Sequence, residues 1–381
     1  MAVRERLEHL DGLRGVAAFV VVVFHFMSAL TPWLVPDQQP RAAPIAYTPL
    51  AVLWNGPFAV SVFFVLSGFV VTNATLRKSD VIWIDVVIRY LRLAIPATIS
   101  TLVAALLLRL FPHAAAALMQ ITGSRWLAWT FQGTIPSWEN AVYSGMVDIF
   151  VSGGSYFNNV LWTLRPEFIG SLACYVICLC EGARARLLAT AAFALLALLA
   201  GRLEYECFVL GIVLREAWVS GRLPSRLPVV ALLCGLLIGS QSGDAAEHLG
   251  LGWLPAMLAP GNKKGLLYPI AAALVVYGCM RSRSVARVLS SRVGGFLGQV
   301  SFPLYLLHVP WIYTVVSAVA ARHYQERGLM FALVVASFGF LLGAAKLVDA
   351  YLERPFLRFL GRLRDLLRGL RLRLLAASAA D

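Results

Sequence analysis

An all-α, polytopic membrane bundle of about ten transmembrane helices is the fold class this sequence predicts, on three observations. Of 381 residues, 59% are hydrophobic and only 14% charged, and the mean hydropathy is +0.75, well outside the soluble globular range. Apolar runs of about 18 or more residues recur along the whole chain, the length that crosses a hydrocarbon core. Most of the arginine lies in short segments between those runs and in the tail, the pattern of cytoplasmic connections. The same distribution turns the net charge of +13 away from nucleic acid as a partner and toward a membrane surface.

The apolar runs place spans near 13–33, 52–74, 94–111, 159–180, 186–200, 203–219, 227–241, 265–281, 295–320 and 328–350. The run after Leu13 is too long for a signal-peptide core and ends on no small-residue cleavage site, so the first span is expected to be permanent. With both termini in the cytoplasm, the inner segments hold Arg4, Arg6, Arg77, Lys78, Arg89, Arg92, Arg184, Arg186, Arg222, Arg226, Arg281, Arg283, Arg287, Arg292 and the tail arginines. Two domains follow: a transmembrane domain over 1–350, and a basic amphipathic cytoplasmic tail over 351–381. The tail alternates Leu and Arg at helical spacing and is expected to lie on the anionic inner leaflet as an anchor.

The connection 112–158 is expected outside. Its Trp126, Trp129, Phe131, Trp138, Tyr143 and Tyr156 suit either an interfacial aromatic belt or a functional loop. Cys174, Cys178, Cys180, Cys207, Cys234 and Cys279 lie in or beside apolar runs without paired CxxC spacing, so they read as small buried hydrophobes, and no metal site is expected. The segment GNKKG at 261–265 lacks the frame of a phosphate-binding loop.

The first span, LDGLRGVAAFVVVVFHF, carries an Arg and a His that a lipid-facing helix avoids. Eleven residue steps separate Arg14 from His25, about three full turns, so the two share one helix face about 16 Å apart along the axis. Arg14 then stands at the cytoplasmic mouth and His25 roughly 18 Å deep in a core about 30 Å thick. Such a pair forms the two ends of a slot: an anionic head binds at the Arg while a reactive end reaches the His. Glu167 in LWTLRPEF and His308 in SFPLYLLHVP reach a similar depth on other spans, and intramembrane ionisable groups by default mark a site. Ser67-Gly68 in FFVLSGF permits close helix approach. Arg89 and Arg92 are three apart on one face at the cytoplasmic edge, where two guanidiniums either clamp phosphates or serve as ordinary topological anchors.

Five of these motifs in order, from Arg14 with His25, through FFVLSGF, RYLR and LWTLRPEF, to SFPLYLLHVP, resemble the acyltransferase 3 family of integral membrane acyltransferases. The resemblance covers nearly the whole chain. It implies a roughly ten-helix bundle that takes an acyl group, commonly acetyl, from cytoplasmic acyl-CoA and passes it to a hydroxyl of a saccharide, glycolipid or small molecule. It makes His25 the essential His, Arg14 its Arg partner, and Arg89 and Arg92 the basic motif that meets CoA. Ser67 is a further donor-binding candidate. Pro96 follows Arg92 by four positions, where many members place it closer.

On this reading no cofactor is held permanently and acyl-CoA is a co-substrate. His25 acts as general base or transient acyl carrier, Glu167 fixes its tautomer in the manner of a triad carboxylate, and His308 completes the catalytic set. Two other functions fit the same residues. One is a proton-coupled exporter with His25, Glu167 and His308 as a relay, although paired halves are not visible. The other is an acyltransferase whose acceptor is a cytoplasmic small molecule.

Overall fold

The computed structural model describes residues 7–36, 38, 42–78, 82–129, 135–262 and 265–378. Arg4, Arg6, Phe131, Lys263 and Lys264 lie outside them. The described residues form helices and connections with no strand, an all-α membrane helix bundle. Its principal helices are α1 Glu8–Leu30, α2 Gly56–Lys78, α3 Ile82–Leu110, α4 Leu164–Cys178, α5 Ala183–Leu199, α6 Glu204–Val219, α7 Pro228–Ser240, α8 Leu267–Arg281, α9 Arg292–Trp311, α10 Arg327–Val348 and α11 Arg354–Ser378. A helix therefore stands at each of the ten predicted spans, followed by the tail helix. Six helical stretches among the described residues are long and apolar enough to cross a membrane: α1, α2, α3, α4 with the turn before it, α9 with its extension to His323, and α10 with its continuation. Helices α5 to α8 run 17, 16, 13 and 15 residues, shorter than the roughly 20 that a straight crossing takes.

α1 lies in the middle of the bundle, along α9 on one side and α2 on another. Between helices in lipid, close packing takes over from hydrophobic exclusion, and small residues let backbones approach. A Cβ on Gly15 would stand 2.3 Å from the backbone nitrogen of Gly298, so α1 and α9 touch backbone to backbone there. A Cβ on Gly68 would stand 2.4 Å from the carbonyl of Phe208, which seats α2 on α6. The Ser67-Gly68 pair does permit the close approach expected of it.

The long connection does more than line an interface. It carries helices Ala114–Thr122, Arg125–Trp129 and Trp138–Tyr143, and Leu118, Trp126, Leu127, Ala141 and Phe157 are buried in the same core as α1 and α9. Trp129, Tyr143 and Tyr156 are exposed, and Arg109 caps the ring of Trp138 at 4.3 Å. The aromatics thus divide between core and surface.

The tail helix is docked on protein. Leu360 of α11 is buried against Ile84 and Ile88 at the start of α3, and Arg364 and Arg368 reach Asp85 at 3.2 and 3.8 Å. The six cysteines are free thiols; Cys174, Cys207 and Cys279 are buried as expected, Cys178 and Cys180 are half-buried, and Cys234 is exposed. Cys234 sits on α7, whose apolar outer face includes the exposed Val230, Leu233 and Leu237, a surface that suits lipid.

Candidate active site

One cavity of about 440 Å³ gathers five of the predicted site residues: Arg14 from α1, Ser67 from α2, Arg89 and Arg92 from α3, and Glu167 from α4. The first turns of α1, through Leu7, Leu10 and Asp11, and the last turns of α2, through Asn73, Ala74 and Arg77, also line it. Its mouth therefore lies at the end of the bundle where α1 begins and α2 finishes.

The arginines fall into two kinds. Arg14 is held by Ser301 Oγ at 3.3 Å and the Gly298 carbonyl at 3.4 Å, both on α9, with Asp11 at 3.5 Å. Arg89 is spent on Glu167: Nη2 donates to Oε1, while Nε donates to Ser171 Oγ at 3.1 Å. Arg77 and Arg92, by contrast, are exposed to the cavity and have no hydrogen-bond or ion-pair partner among the described residues. They are the cavity arginines without a hydrogen-bonded partner, although Arg92 faces the Glu353 carboxylate electrostatically, and such guanidiniums suit an anion. Glu353, from the turn after α10, adds a carboxylate to the wall, and its Oε2 is buried without a partner.

His25 and His308 do not line this cavity. They meet each other deeper in the bundle, with His308 Nε2 3.0 Å from His25 Nδ1. The shared face of α1 is real: Arg14 and His25 both turn to α9, one to Ser301 and one to His308. The proton positions follow from the acceptors. His308 Nδ1 lies 3.1 Å from the Leu304 carbonyl and His25 Nδ1 3.0 Å from the Val21 carbonyl. A carbonyl only accepts, so each Nδ1 carries the hydrogen in the neutral ring. His308 Nε2 is then an acceptor for the His25 Nδ1–H, and His25 Nε2 keeps a free lone pair. That arrangement makes His25 a base with a fixed tautomer.

The sequence around His308 explains why the ring sits where it does. Pro310 has no N–H, so the carbonyl of Leu306, four residues earlier, loses its helical donor. Ser100 Oγ and Asn158 Nδ2 donate to that carbonyl at 2.8 and 2.9 Å, and Asn158 also donates to Ser100 Oγ at 2.9 Å. A π-helical turn over Ile312–Val316 follows, and Tyr313 donates to the carbonyl of Phe157. The helix interruption beside His308 is thus stitched to α3 and to the inward-dipping end of the long connection.

The expected His25–Glu167 pairing gives way to a different one. Glu167 accepts from Ser67 Oγ at 2.7 Å and from Arg89, whereas the group oriented against His25 is His308. The physical reason is that α4 begins only at Leu164, after a 3-10 turn over Asn159–Thr163. Glu167 therefore stands in the first turn of its helix, on the cavity wall beside the guanidinium of Arg89.

Three residues escaped the sequence reading. Arg77 counted there only as a topological charge, yet Ser67, Val70, Ala74 and Arg77 follow a helical stripe down one wall, a spacing that was available. Tyr305 stands one helical turn from His308, and its ring touches both cavity and histidine, with 5.7 Å between the two ring centroids. The Trp126 ring packs tilted against His25, with 5.1 Å between the ring centroids, a contact across a hundred residues that no local pattern announces.

Comparison with known proteins agrees with this architecture. The acyltransferase 3 family model, described as an acyltransferase domain, matches residues 7–346. The chain belongs to that family and is an integral membrane acyltransferase. It is 25% identical over 380 residues to the O-acetyltransferase PaAT-1 of Phomopsis amygdali, spanning 82% of this chain and 73% of that protein. It is 29% identical over 337 residues to the exopolysaccharide production protein ExoZ of Rhizobium meliloti (strain 1021), spanning 83% of this chain and 93% of that one. No solved structure matches it significantly.

Proposed function

We propose that the protein is an O-acyltransferase of the cytoplasmic membrane that moves an acetyl group from cytoplasmic acetyl-CoA to a hydroxyl of a saccharide or glycolipid at the outer face. The observation that carries this reading is the sequence of parts along one path. Arg77 and Arg92, which make no hydrogen bond among the described residues, line a cavity that Tyr305 also lines, and the Tyr305 ring stands 5.7 Å from that of His308, the partner of His25, whose Nε2 keeps its lone pair. A polyphosphate head on a thin arm ending in a thioester is complementary to that shape and charge. The relatives' names point the same way, one to O-acetyl transfer and the other to exopolysaccharide.

In the proposed step the acceptor hydroxyl oxygen attacks the thioester carbonyl carbon. His25 Nε2 takes the hydroxyl proton as the new C–O bond forms. The C–S bond then breaks, and the CoA thiolate leaves with that proton from His25. The imidazolium in between is stabilised at Nδ1–H by the Val21 carbonyl and His308 Nε2. The proton-coupled exporter needs Glu167 in series with both histidines. Its pairing with Ser67 and Arg89 favours acyl transfer instead.

The test is isotopic. Membranes from cells with and without the gene are given acetyl-labelled acetyl-CoA, and saponifiable label is sought in surface glycans and lipids by mass spectrometry. Label that depends on the gene and on His25 is the expected result. Proton-driven flux without acetyl-CoA consumption would replace the enzyme with the exporter, and label confined to a soluble cytoplasmic product would move the acceptor inside.

A further inference from the structure

Two residues that line the arginine cavity carry a buried oxygen with no hydrogen-bond partner among the described residues, Asn73 at Oδ1 and Glu353 at Oε2. An amide can turn its nitrogen toward an acceptor, but a carboxylate only accepts. Glu353 is also held in place. It closes a π-helical turn over Asp349–Glu353, and that turn is pinned to the α9 wall. Gln299, itself a lining residue, donates to the buried Asp349, and Lys346 Nζ donates to Gln299 Oε1 at 2.9 Å. Arg354 Nε lies 3.0 Å from Asp349 Oδ2. Arg92 and Arg14 face the Glu353 carboxylate through space. A negative side chain beside arginines that suit phosphate repels a ligand that is phosphate alone. It is accounted for by hydrogen-bond donors on the same ligand. An acyl-CoA carries such groups at its nucleoside end, the adenine amino group and the free ribose hydroxyl. The arm runs inward from the phosphates, whereas Glu353 stands at the cavity end where α11 begins and docks on the start of α3.

We propose that Glu353 binds the nucleoside end of the acyl-CoA donor, its carboxylate accepting a hydrogen bond from the adenine amino group or the ribose hydroxyl while Arg77 and Arg92 meet the phosphates. The inference rests on the acyltransferase reading and deepens it, because it assigns the end of the donor that the arginines leave unread. Hydrogen bonds to an ionised acceptor are among the strong ones. A site built around such an acceptor rejects the analogue that lacks the matching donor, since the buried oxygen is then left unpaired. Glu353 thus sets CoA apart from other phosphate compounds: a phosphate without a nucleoside brings negative charge to the carboxylate and nothing to bond it.

The experiment is titration calorimetry on the purified full-length protein in detergent. The probes are acetyl-CoA, acetyl-4′-phosphopantetheine (the arm and one phosphate without the nucleoside), acetyl-CoA with unsubstituted purine in place of adenine, and acetyl-CoA lacking the free ribose hydroxyl. The wild type is expected to prefer acetyl-CoA to acetyl-4′-phosphopantetheine. Glu353→Ala is expected to cut that preference by about 10-fold or more, by weakening acetyl-CoA alone. Of the two nucleoside analogues, the one without the bonded group should bind the wild type about 10-fold or more weakly than acetyl-CoA, yet bind Glu353→Ala as well as acetyl-CoA does. If Glu353→Ala does not fold, Glu353→Gln carries the same comparison with a smaller loss. Tighter binding of both acetyl-CoA and acetyl-4′-phosphopantetheine to the variant would make Glu353 only a counter-ion of Arg92. Equal weakening of both would make it a wall residue, and full affinity of both nucleoside analogues for the wild type would leave it nothing to bond. Each of these overturns the inference while donor binding stands. Failure of the wild type to bind acetyl-CoA at all overturns the donor reading itself, and the role of Glu353 with it.

Discussion

A base is useful only if its proton inventory is fixed, and two backbone carbonyls settle that for His25 and His308. His25→Ala should therefore lower the rate of acyl transfer by roughly 10²–10⁴-fold while acetyl-CoA binding persists, since His25 does not line the proposed donor cavity. His308→Ala removes one of two acceptors for the His25 Nδ1–H and leaves the Val21 carbonyl, so a smaller loss of about 10–100-fold is expected, as for a buried hydrogen-bond partner removed. Initial rates with purified protein decide the order; equal losses would make His308 a second reacting group. Arg89 and Arg92 separate by a different measurement. Arg92 makes no hydrogen bond among the described residues, so Arg92→Ala should raise the acetyl-CoA KM by about 10-fold or more through loss of a charge-assisted contact. Arg89→Ala strands a mostly buried carboxylate, Glu167, and should lower the melting temperature; adding Glu167→Gln should restore part of it. No such recovery would mean that the pair is not the reason Arg89 is there. In the sequence these two arginines look alike, three apart on one face. What distinguishes them is Glu167, and only the late start of α4 places it against one and not the other.

At the scale of elements, helix existence was legible because apolar runs of the right length have few alternatives in a bilayer, whereas the tail's destination was not. The amphipathic Leu/Arg pattern of α11 describes a helix with one apolar stripe and does not say whether lipid or protein covers it. Ile84, Ile88 and Asp85 at the start of α3 cover part of it. The consequence concerns the proposed donor site, because the same helix α3 carries Arg89 and Arg92 one turn or two further on. Reversing the charge with Arg364→Glu and Arg368→Glu sets two carboxylates against Asp85, a like-charge arrangement that should detach α11. Hydrogen exchange over 354–371 should then rise while α1 and α9 stay protected. Unchanged exchange would show that the apolar contact of Leu360 with Ile84 and Ile88 suffices alone, or that the membrane holds the helix. The long connection teaches the same point. Its aromatic composition marked it as unusual, but the choice between belt and core was made by contacts such as Trp126 on His25, which depend on how the whole chain closes.

At the scale of the molecule, the cavity and the long connection belong to opposite faces. α1 starts at the cavity mouth with Leu7, Leu10 and Asp11 and runs away from it past His25. α3 likewise carries Arg89 and Arg92 near its start and ends at Leu110, where the long connection begins; its 29 residues span about 43 Å at 1.5 Å each, more than a hydrocarbon core of about 30 Å. The cavity end is also the arginine-rich end, with Arg77 and Arg92 in the cavity and the α11 arginines beside it, and the positive-inside rule is the basis on which the proposed orientation sets the mouth in the cytoplasm. The proposed cytoplasmic donor and outer acceptor require this arrangement, with His25 paired to His308 and flanked by Trp126 of the long connection. Single cysteines in a background freed of the six native ones give the test. Ser137→Cys, at the start of a helix in the long connection, should react with a membrane-impermeant maleimide in intact cells. Asn73→Cys, in the cavity wall, should react only in inside-out vesicles, and acetyl-CoA should slow that reaction because the donor would occupy the same space. Labelling of Ser137→Cys from the cytoplasm alone would invert the molecule, put the arginine cavity outside where no acyl-CoA is found, and remove the physical basis for transfer from an inner donor.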